Sequence, residues 1–504
     1  MPKIPNISPN TPFAHLTVLL SLALGLGAFL IANATMIASD GTLLIEYAQK
    51  LQANPTGTMQ TDLQHPGYPC LISLTHSIAS LFTDATSLKS WILSAQFASL
   101  ACKLAATVFL YLIARRLVGP QSAFWSILIL TILPWPTQYG SDALTDWPHL
   151  LFLSAGLWLL LYGASHPQLW LFPLAGLAAA AGYLIRAECS QLLVYGSTWL
   201  LLNIIKPQTK LRRSKCLAAI LLLLAAFAIL AVPYMSLTGF VFPEHQLMPF
   251  PTPLKIPALS AVEGPTLGPH PANPLKPYYA AMPLSKIPNG LWKLLNNLCE
   301  TLMYYFVPAL FIGLFYQLRK KPRATDTFYV TAFILFNAAL LLWLFNRTGY
   351  ISKRHSLPLI IITALYIPVG MNILSTWLST ITPKRLPKMI AAPRFWFISM
   401  FLVGLAICTP KLLRPPHADK KPFLLAANWL KQNAKPNDLV WSFDTRIPFY
   451  AEVPYARNSS QPGINCLVHE SSRALWLLDD PAFQPVHSIP LDKDTTLIIY
   501  RKKT

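Results

Sequence analysis

The sequence predicts an all-α polytopic membrane protein of about eleven transmembrane helices, followed by a small α/β domain on the extracytoplasmic side. Of its 504 residues, 54% are hydrophobic and 12% are charged, whereas a soluble domain carries roughly 25% charged residues. Apolar runs of about 17 to 23 residues recur along most of the chain, as the hydrocarbon core of a bilayer requires of a helix. We therefore predict a membrane-embedded domain over residues 1–410 and a soluble extracytoplasmic domain over residues 411–504.

The predicted spans are separated mostly by short loops, and the fifth and sixth spans are short apolar segments. The first span resembles a signal peptide, because Lys3 precedes an apolar stretch at 16–31. The length of that stretch and the spans that follow it favour an uncleaved first helix. The spans are 14–34, 91–113, 121–137, 147–163, 168–184, 189–205, 216–236, 297–318, 326–346, 355–374 and 395–410.

Basic residues determine the predicted orientation, because loops rich in Lys and Arg stay in the cytoplasm. Such clusters follow the second, sixth, eighth and tenth spans, so all of them lie on the same side as the N-terminus. We therefore predict a protein of the cell (inner) membrane with its N-terminus in the cytoplasm and its C-terminus on the extracytoplasmic side. The net charge of +20 therefore does not indicate a nucleic-acid partner, since the cations form no basic face. The clusters are Arg115 and Arg116; Lys206, Lys210, Arg212, Arg213 and Lys215; Arg319, Lys320, Lys321 and Arg323; and Lys384, Arg385, Lys388 and Arg394.

Two outer loops are long enough to form structure of their own. In the first, 35–90, the apolar side chains of residues 41–51 share one helical face, which predicts a helix lying in the membrane interface. The second loop, 237–296, is rich in proline, and proline disfavours regular helix. Loops of this length usually carry function or are disordered.

The tail has a different pattern from the rest of the chain. Residues 423–433 have helical periodicity, and a turn sequence at 435–438 follows them. Strand-like segments lie at 439–443 and 496–500. This alternation predicts a small α/β fold.

Four motifs lie in order at the outer ends of the predicted spans, and a fifth, weaker match follows. Together they resemble the lipid-linked-sugar glycosyltransferases of the GT-C superfamily, in the branch of protein mannosyltransferases, aminoarabinose transferases and bacterial RgtA/B/C/D-like proteins. The resemblance covers about residues 14–360, and it departs from many members where Gly41 follows Asp40 and where Gln64 and His65 replace charged residues. The motifs are Asp40 with 46–48 (Glu-Tyr-Ala), 65–69 (His-Pro-Gly-Tyr-Pro), 142–148 (Asp-Ala-Leu-Thr-Asp-Trp-Pro), 182–188 (Gly-Tyr-Leu-Ile-Arg-Ala-Glu) and 354–358 (Arg-His-Ser-Leu-Pro).

The resemblance implies a glycosyltransferase that moves a sugar from a polyprenyl-phosphate donor to an acceptor hydroxyl on the outer face of the membrane, with inversion. It implies catalytic roles for Asp40 and Asp146. The sequence leaves open whether the acceptor is a lipid, a glycan or a protein, and whether a divalent cation takes part. The implied substrate-binding residues are Glu46, His65, Tyr68, Asp142, Arg186, Arg354 and His355.

Elementary chemistry accounts for these residue types. Transfer breaks the bond between the anomeric carbon and a phosphate oxygen, and the phosphate leaves without a strong general acid. The acceptor hydroxyl needs a base, and a carboxylate at the bilayer surface can serve. The departing phosphate needs cationic groups or a metal to hold its charge.

Each residue also has a structural interpretation. Asp40 and Asp146 suit the first turn of the helices that follow them, and Arg186 with Glu188 suits a surface ion pair. For the whole protein, the alternatives are a transporter or lipid flippase without glycosyl transfer, and a membrane scaffold whose tail binds partners. Transporters carry paired repeats and intramembrane charges, and little of either occurs here.

Overall fold

The structure is a computed structural model that describes most of residues 11–503. Most of the proline-rich loop, parts of three basic clusters and the middle of the turn at 435–438 lie outside the described residues. The predictions for those segments therefore stay predictions. The segments left out are 1–10, 63, 83, 167, 206–210, 243–246, 250–286, 320–324, 383–386, 388, 436–437, 457–460, 472–481, 492–494 and 504.

The first loop folds into three short helices behind the first apolar helix. These four helices are α1 (Thr11–Ala32), α2 (Ser39–Ala53), α3 (Pro55–Thr61) and α4 (Gly67–Ala79). The side chain of Asn54 caps α3 by accepting from the Gly57 amide at 3.0 Å, and Pro55 occupies the first position of that helix. Both residues favour a helix start there.

Thirteen further helices follow between residues 88 and 412 of the described chain. Each predicted span coincides with one helix or with two consecutive helices. They are α5 (Leu88–Val118), α6 (Pro120–Ile132), α7 (Pro134–Tyr139), α8 (Asp146–Ser165), α9 (Leu171–Tyr183), α10 (Gln191–Ile205), α11 (Arg213–Thr238), α12 (Ile287–Thr301), α13 (Val307–Arg319), α14 (Thr325–Thr348), α15 (Lys353–Ala364), α16 (Ile367–Ile381) and α17 (Pro393–Leu412).

Not all of these helices can cross a bilayer alone. Among the described residues, six helices have the length and composition of a membrane span: α1, α5, α8, α11, α14 and α17. The pair α15 and α16, bent by 49°, would make a seventh, and α6, α9 and α13 are apolar but shorter. The chain is therefore a multi-pass membrane protein, while the number of eleven spans stays a prediction.

Small residues allow two pairs of helices to pack backbone against backbone. A Cβ atom on Gly370 of α16 would collide with the carbonyl of Ala309 on α13, and one on Gly313 would collide with the carbonyl of Tyr366. Gly176 of α9 is likewise pressed against the carbonyl of Leu223 on α11. Helices in lipid associate through such close contacts, because lipid chains are as apolar as the side chains they replace.

The chain after α11 turns into a short hairpin. Gly239 ends the helix with a left-handed backbone at φ 75°, a conformation that costs glycine little. Strands β1 (Phe240–Phe242) and β2 (Leu247–Pro249) then pair antiparallel. They occupy the start of the loop 237–296, which we predicted to lack regular helix. That prediction is wrong for the end of the loop, because α12 begins at Ile287, and a proline at the second position of a helix, here Pro288, leaves the helical hydrogen bonds intact.

The tail contains a five-stranded mixed sheet with two helices. Its elements are α18 (Lys421–Asn433), β3 (Leu439–Ser442), α19 (Arg446–Ala451), β4 (Tyr455–Ala456), β5 (Ile464–Glu470), β6 (Phe483–Pro490) and β7 (Thr496–Lys502). The strand order is β4-β3-β5-β7-β6, with β3 parallel to both neighbours and β7 antiparallel to both of its own. The division of the chain at residue 410 stays a prediction.

The hydrophobic core of the tail includes a residue from outside the tail. Met36, from the segment between α1 and α2, lies buried in the cluster that α18 and the sheet form. Phe449 of α19 lies in turn in the cluster built by α2, α4 and α5. The tail therefore packs directly onto the first loop.

Candidate active site at the start of the second helix

Asp40 lies in the first turn of α2, which contains the predicted interfacial segment 41–51. Leu44, Ile45 and Ala48 bury one face of this helix, as the apolar spacing indicated. The N-cap position is Ala38, and it provides no side-chain cap. The Asp40 side chain is 55% exposed, so its carboxylate is available to a ligand.

Asp146 is the first residue of α8 and is almost completely buried, with 1% of its side chain exposed. Arg186 Nη1 donates to its Oδ1 at 3.0 Å, and Arg354 Nε donates to its Oδ2 at 2.8 Å. A buried carboxylate needs such paired donors, because an uncompensated charge is costly in a low dielectric. Both oxygens of Asp146 are therefore held by arginines.

Arg354 joins the two acids that the sequence predicts to be catalytic. While its Nε holds Asp146, its Nη1 donates to Oδ2 of Asp40. The residue stands in the first turn of α15, where Ser352 and His355 form a reciprocal capping box. His355 thus stabilises the helix start that carries Arg354.

Arg186 extends the series of charges to a third acid. Its Nη2 lies 3.5 Å from Oε1 of Glu188, in a turn of 3-10 helix between α9 and α10. Burial raises the pKa of the Glu188 carboxyl, but the positive charge of Arg186 and the nearby His149 outweigh that effect and lower the pKa to about 2. Glu188 is therefore ionised at neutral pH.

We call the connected side chains Glu188, Arg186, Asp146, Arg354 and Asp40 the charge chain. It unites four motifs that are far apart in sequence, and it connects the buried Asp146 with the exposed Asp40. Two arginines balance three carboxylates, so the group carries one net negative charge. Its carboxylates are most exposed at the two ends, Asp40 and Glu188.

Asp142 has another role in the structure. Its Oδ1 accepts from the amides of Ala38 at 3.0 Å and Ala143 at 2.7 Å, and its Oδ2 lies 2.7 Å from Nε2 of His417. The carboxylate thus connects the segment before α2, the loop before α8 and the tail. It is not part of the charge chain.

Glu46, His65 and Tyr68 also lie outside the charge chain. Both oxygens of Glu46 accept from the hydroxyl of Tyr455 in the tail, at 2.9 and 2.8 Å. His65 is buried against two tyrosine rings. Tyr68 is fully buried and donates to the carbonyl of Ala95 at 2.8 Å. These contacts are structural, and the predicted substrate contacts of the three residues stay predictions.

The second and fourth motifs meet through the backbone. The amide of Gly67, at the start of α4, donates to the carbonyl of Leu184 at 2.6 Å. A Cβ atom at position 67 would lie 2.7 Å from that same oxygen, which is closer than a side chain tolerates. The glycine of the His-Pro-Gly-Tyr-Pro motif therefore permits the first loop to reach the turn that carries Arg186.

A second cationic group lies beside the charge chain, and the sequence did not reveal it. The ammonium groups of Lys353 and Lys411 lie 4.5 and 4.3 Å from the ring centre of Trp135. Lys353 is paired with Glu300. Lys353 precedes Arg354 in sequence, but Lys411 comes from the end of α17, and no local pattern links the two. Cation–π contact with an indole holds both ammonium groups in place.

The described residues do not offer a ready site for a divalent cation. They contain no group of three or more His, Cys, Asp and Glu side chains that could hold a metal ion. Both oxygens of Asp146 are occupied by arginines, so a cation there would have to displace a guanidinium.

Comparisons with known proteins agree on the fold. Residues 66–232 match the family model described as dolichyl-phosphate-mannose-protein mannosyltransferase. The structure is similar to that of ArnT from Cupriavidus metallidurans bound to undecaprenyl phosphate, with a TM-score of 0.59, 12% identity and 98% of each chain covered. It is also similar to the archaeal oligosaccharyltransferase AglB from Archaeoglobus fulgidus in complex with an inhibitory peptide and a dolichol-phosphate, with a TM-score of 0.55, 12% identity, and 92% of this chain and 70% of that chain covered.

No curated protein matches the sequence of the chain. The structural matches, at this low identity, show the fold. The resemblance that the motifs indicated is confirmed by the family model and by these two structures.

Proposed function

Because the chain has the GT-C fold, we propose that it is a glycosyltransferase that moves a sugar from a polyprenyl-phosphate donor to an acceptor hydroxyl at the outer face of the bacterial inner membrane. The charge chain carries this proposal. Its most exposed carboxylate is Asp40, which Arg354 connects to the buried Asp146. A base must reach its substrate, and Asp40 is exposed enough to do so. The ion pair with the buried Asp146 fixes the guanidinium of Arg354, which faces Asp40.

The donor class is supported by the comparisons. ArnT was solved with undecaprenyl phosphate and AglB with a dolichol-phosphate, and the matching family model is named after dolichyl-phosphate-mannose. In this chain, Arg354 and Lys353 stand together at the start of α15. A lipid-linked donor can leave its chain in hydrocarbon while its phosphate meets these cations.

In the proposed reaction, the acceptor oxygen attacks the anomeric carbon, and the bond from that carbon to the phosphate oxygen breaks. Asp40 takes the proton of the acceptor hydroxyl and becomes neutral. The electron pair of the broken bond stays on the phosphate, whose negative charge rises by one. A single displacement from the face opposite the phosphate inverts the anomeric configuration.

Arg354 is suited to couple these charge changes. In the structure its Nη1 donates to Asp40. A donor phosphate that draws Nη1 away leaves the Asp40 carboxylate free to accept a hydrogen bond from the acceptor hydroxyl, while the bond from Nε to Asp146 keeps the guanidinium in place. Donor binding thereby makes the base available to the acceptor.

The test is a product analysis with purified protein in detergent and radiolabelled polyprenyl-phosphate sugars. We expect the label to move from the lipid to an acceptor in a lipid, glycan or peptide mixture, and we expect the Asp40→Asn variant to lose this transfer. Label that crosses vesicle membranes without leaving the prenyl lipid would favour the flippase alternative and contradict the proposal.

A further inference from the structure

We propose that His417 is a positioning residue for this transfer: it holds Asp142, and Asp142 holds the backbone that leads into Asp40. The inference rests on the proposed function, since that function gives Asp40 its catalytic role. It assigns the tail a part in the active site, although none of its residues enters the charge chain.

One carboxylate connects the tail to the start of α2. His417 Nε2 donates to Asp142 Oδ2 at 2.7 Å, and Asp142 Oδ1 accepts from the amide of Ala38 at 3.0 Å. Ala38 is the N-cap of α2, two residues before Asp40. With 7% of its side chain exposed, Asp142 is held in one orientation by these contacts. A change at His417 is therefore transmitted to the first turn of α2.

The backbone at His417 supports a specific role for its side chain. Its φ is 54°, in the left-handed region that L-residues adopt only at a cost in conformational energy. Such conformations persist where the surroundings impose them, and they cluster at functional sites. Here the preceding residue, Pro416, accepts from the amide of Thr35 at 3.1 Å, so the tail backbone is tied to the segment after α1.

Other contacts dock the tail without His417. The hydroxyl of Tyr450 accepts from the amide of Ile37 at 2.9 Å, and the hydroxyls of Thr42 and Thr445 lie 3.2 Å apart. The bond between Tyr455 and Glu46 joins the tail to the next turn of α2. Loss of the imidazole should therefore leave the tail docked and disturb mainly the orientation of Asp142.

Two substitutions separate a positioning role from a backbone role. Glutamine places an amide nitrogen near the position of Nε2 and can still donate to Asp142. Asparagine places its amide nitrogen near the position of Nδ1, and this shorter side chain does not reach Asp142. Asparagine, however, tolerates the left-handed backbone better than glutamine. We expect the His417→Gln variant to retain at least half of the wild-type turnover and His417→Asn to lose about tenfold, while thermal stability follows the opposite order.

The control is His487→Gln, in the same tail, where the imidazole is stacked on Trp429. We expect it to transfer sugar at the wild-type rate. Asp142→Asn supplies the coupling test: if His417 acts through Asp142, adding His417→Asn to it should lower turnover no further. Equal turnover in the Gln and Asn variants of His417, with an active wild type, would overturn the positioning role of His417 and leave the proposed function standing.

Amide hydrogen exchange provides a readout that needs no activity. We expect faster exchange in the peptide covering residues 36–41 for His417→Asn than for His417→Gln, because the Ala38 amide loses a fixed acceptor. Unchanged exchange in both variants would contradict the positioning contact. A wild type that exchanges as expected but transfers no sugar would instead overturn the proposed function.

Discussion

At the scale of single residues, Asp40 and Asp146 share one arginine but differ in exposure, with 55% and 1% of the side chain accessible. The exposed acid can accept a proton from a substrate, and the buried acid can hold the guanidinium in place. Removal of a buried partner leaves an uncompensated charge, which costs about 3–5 kcal/mol. The two acids therefore call for different tests.

Asp40→Asn keeps the size of the side chain and removes its basicity. We expect transfer to fall on the order of 10²-fold, the usual contribution of a positioned base, with donor affinity nearly unchanged. Steady-state rates measured over a range of donor concentrations will check this. Asp62→Asn is the control, because Asp62 pairs with Lys50 at the other end of α2. Wild-type transfer rates in a folded Asp40→Asn protein would contradict the assignment of Asp40 as the base.

Arg354→Ala should weaken donor binding, because the phosphate loses a charge-assisted partner. The variant also leaves Asp146 with Arg186 alone, so Arg354→Lys is needed beside it to keep the charge. A lysine cannot hold both acids at once, and we expect the apparent KM for the donor to rise about tenfold. Arg347→Ala, in the neighbouring α14, is the matched control. An unchanged KM in Arg354→Lys would argue against a phosphate contact.

At the scale of elements, α2 is wedged between the loop before α8 and the tail. A Cβ atom on Gly41 would lie 2.8 Å from both the Cβ and the carbonyl oxygen of Ala143. Position 41 is where the sequence departs from the Asp-Glu pair of many proteins in the family that it resembles, and this contact leaves little room for a side chain there. A glutamate at position 41 would push α2 away from the loop that carries Asp142 and Asp146.

Gly41→Ala tests this packing. Overpacking of this kind typically costs about 1–3 kcal/mol, and the shift of α2 should lower transfer more than it lowers thermal stability. Gly25→Ala in α1 is the control, because a Cβ atom there has nothing within 4 Å. Turnover and melting temperature should both be measured. Equal effects of the two alanines would show that α2 is not held tightly.

At the scale of the whole molecule, the motifs and the tail lie at one end of the helices, and the ion pair of Arg116 with Asp326 lies at the other. The basic clusters indicate that the Arg116 end faces the cytoplasm. The orientation in the membrane follows from charge counting alone, so it needs a direct test.

Reporter fusions will provide that test. A reporter fused after Arg213 should be cytoplasmic, and one fused after Asn458 should be external, because Arg213 belongs to a basic loop and Asn458 to the tail. Alkaline phosphatase and green fluorescent protein give opposite signals on the two sides. A cytoplasmic tail would place the site on the wrong face for an external acceptor.

The sequence by itself determined the helical membrane fold and the positions of most of its apolar helices, because long apolar runs are a local property of the chain. It also indicated Asp40, Asp146, Arg186 and Arg354 through short motifs, and the start of α2 through its periodicity. The strands β4, β5 and β6 were not predicted, since strand formation depends on pairing partners that the local pattern does not show.

Only the tertiary structure decided which of these residues act together. Asp142 lies four residues before Asp146, yet it faces His417 of the tail while Asp146 faces two arginines. Lys411 meets Trp135, and Tyr455 meets Glu46, across separations that no spacing rule covers. The physical reason is that a buried charge selects its partner by proximity in the folded chain, and proximity between distant segments is set by the packing of whole helices.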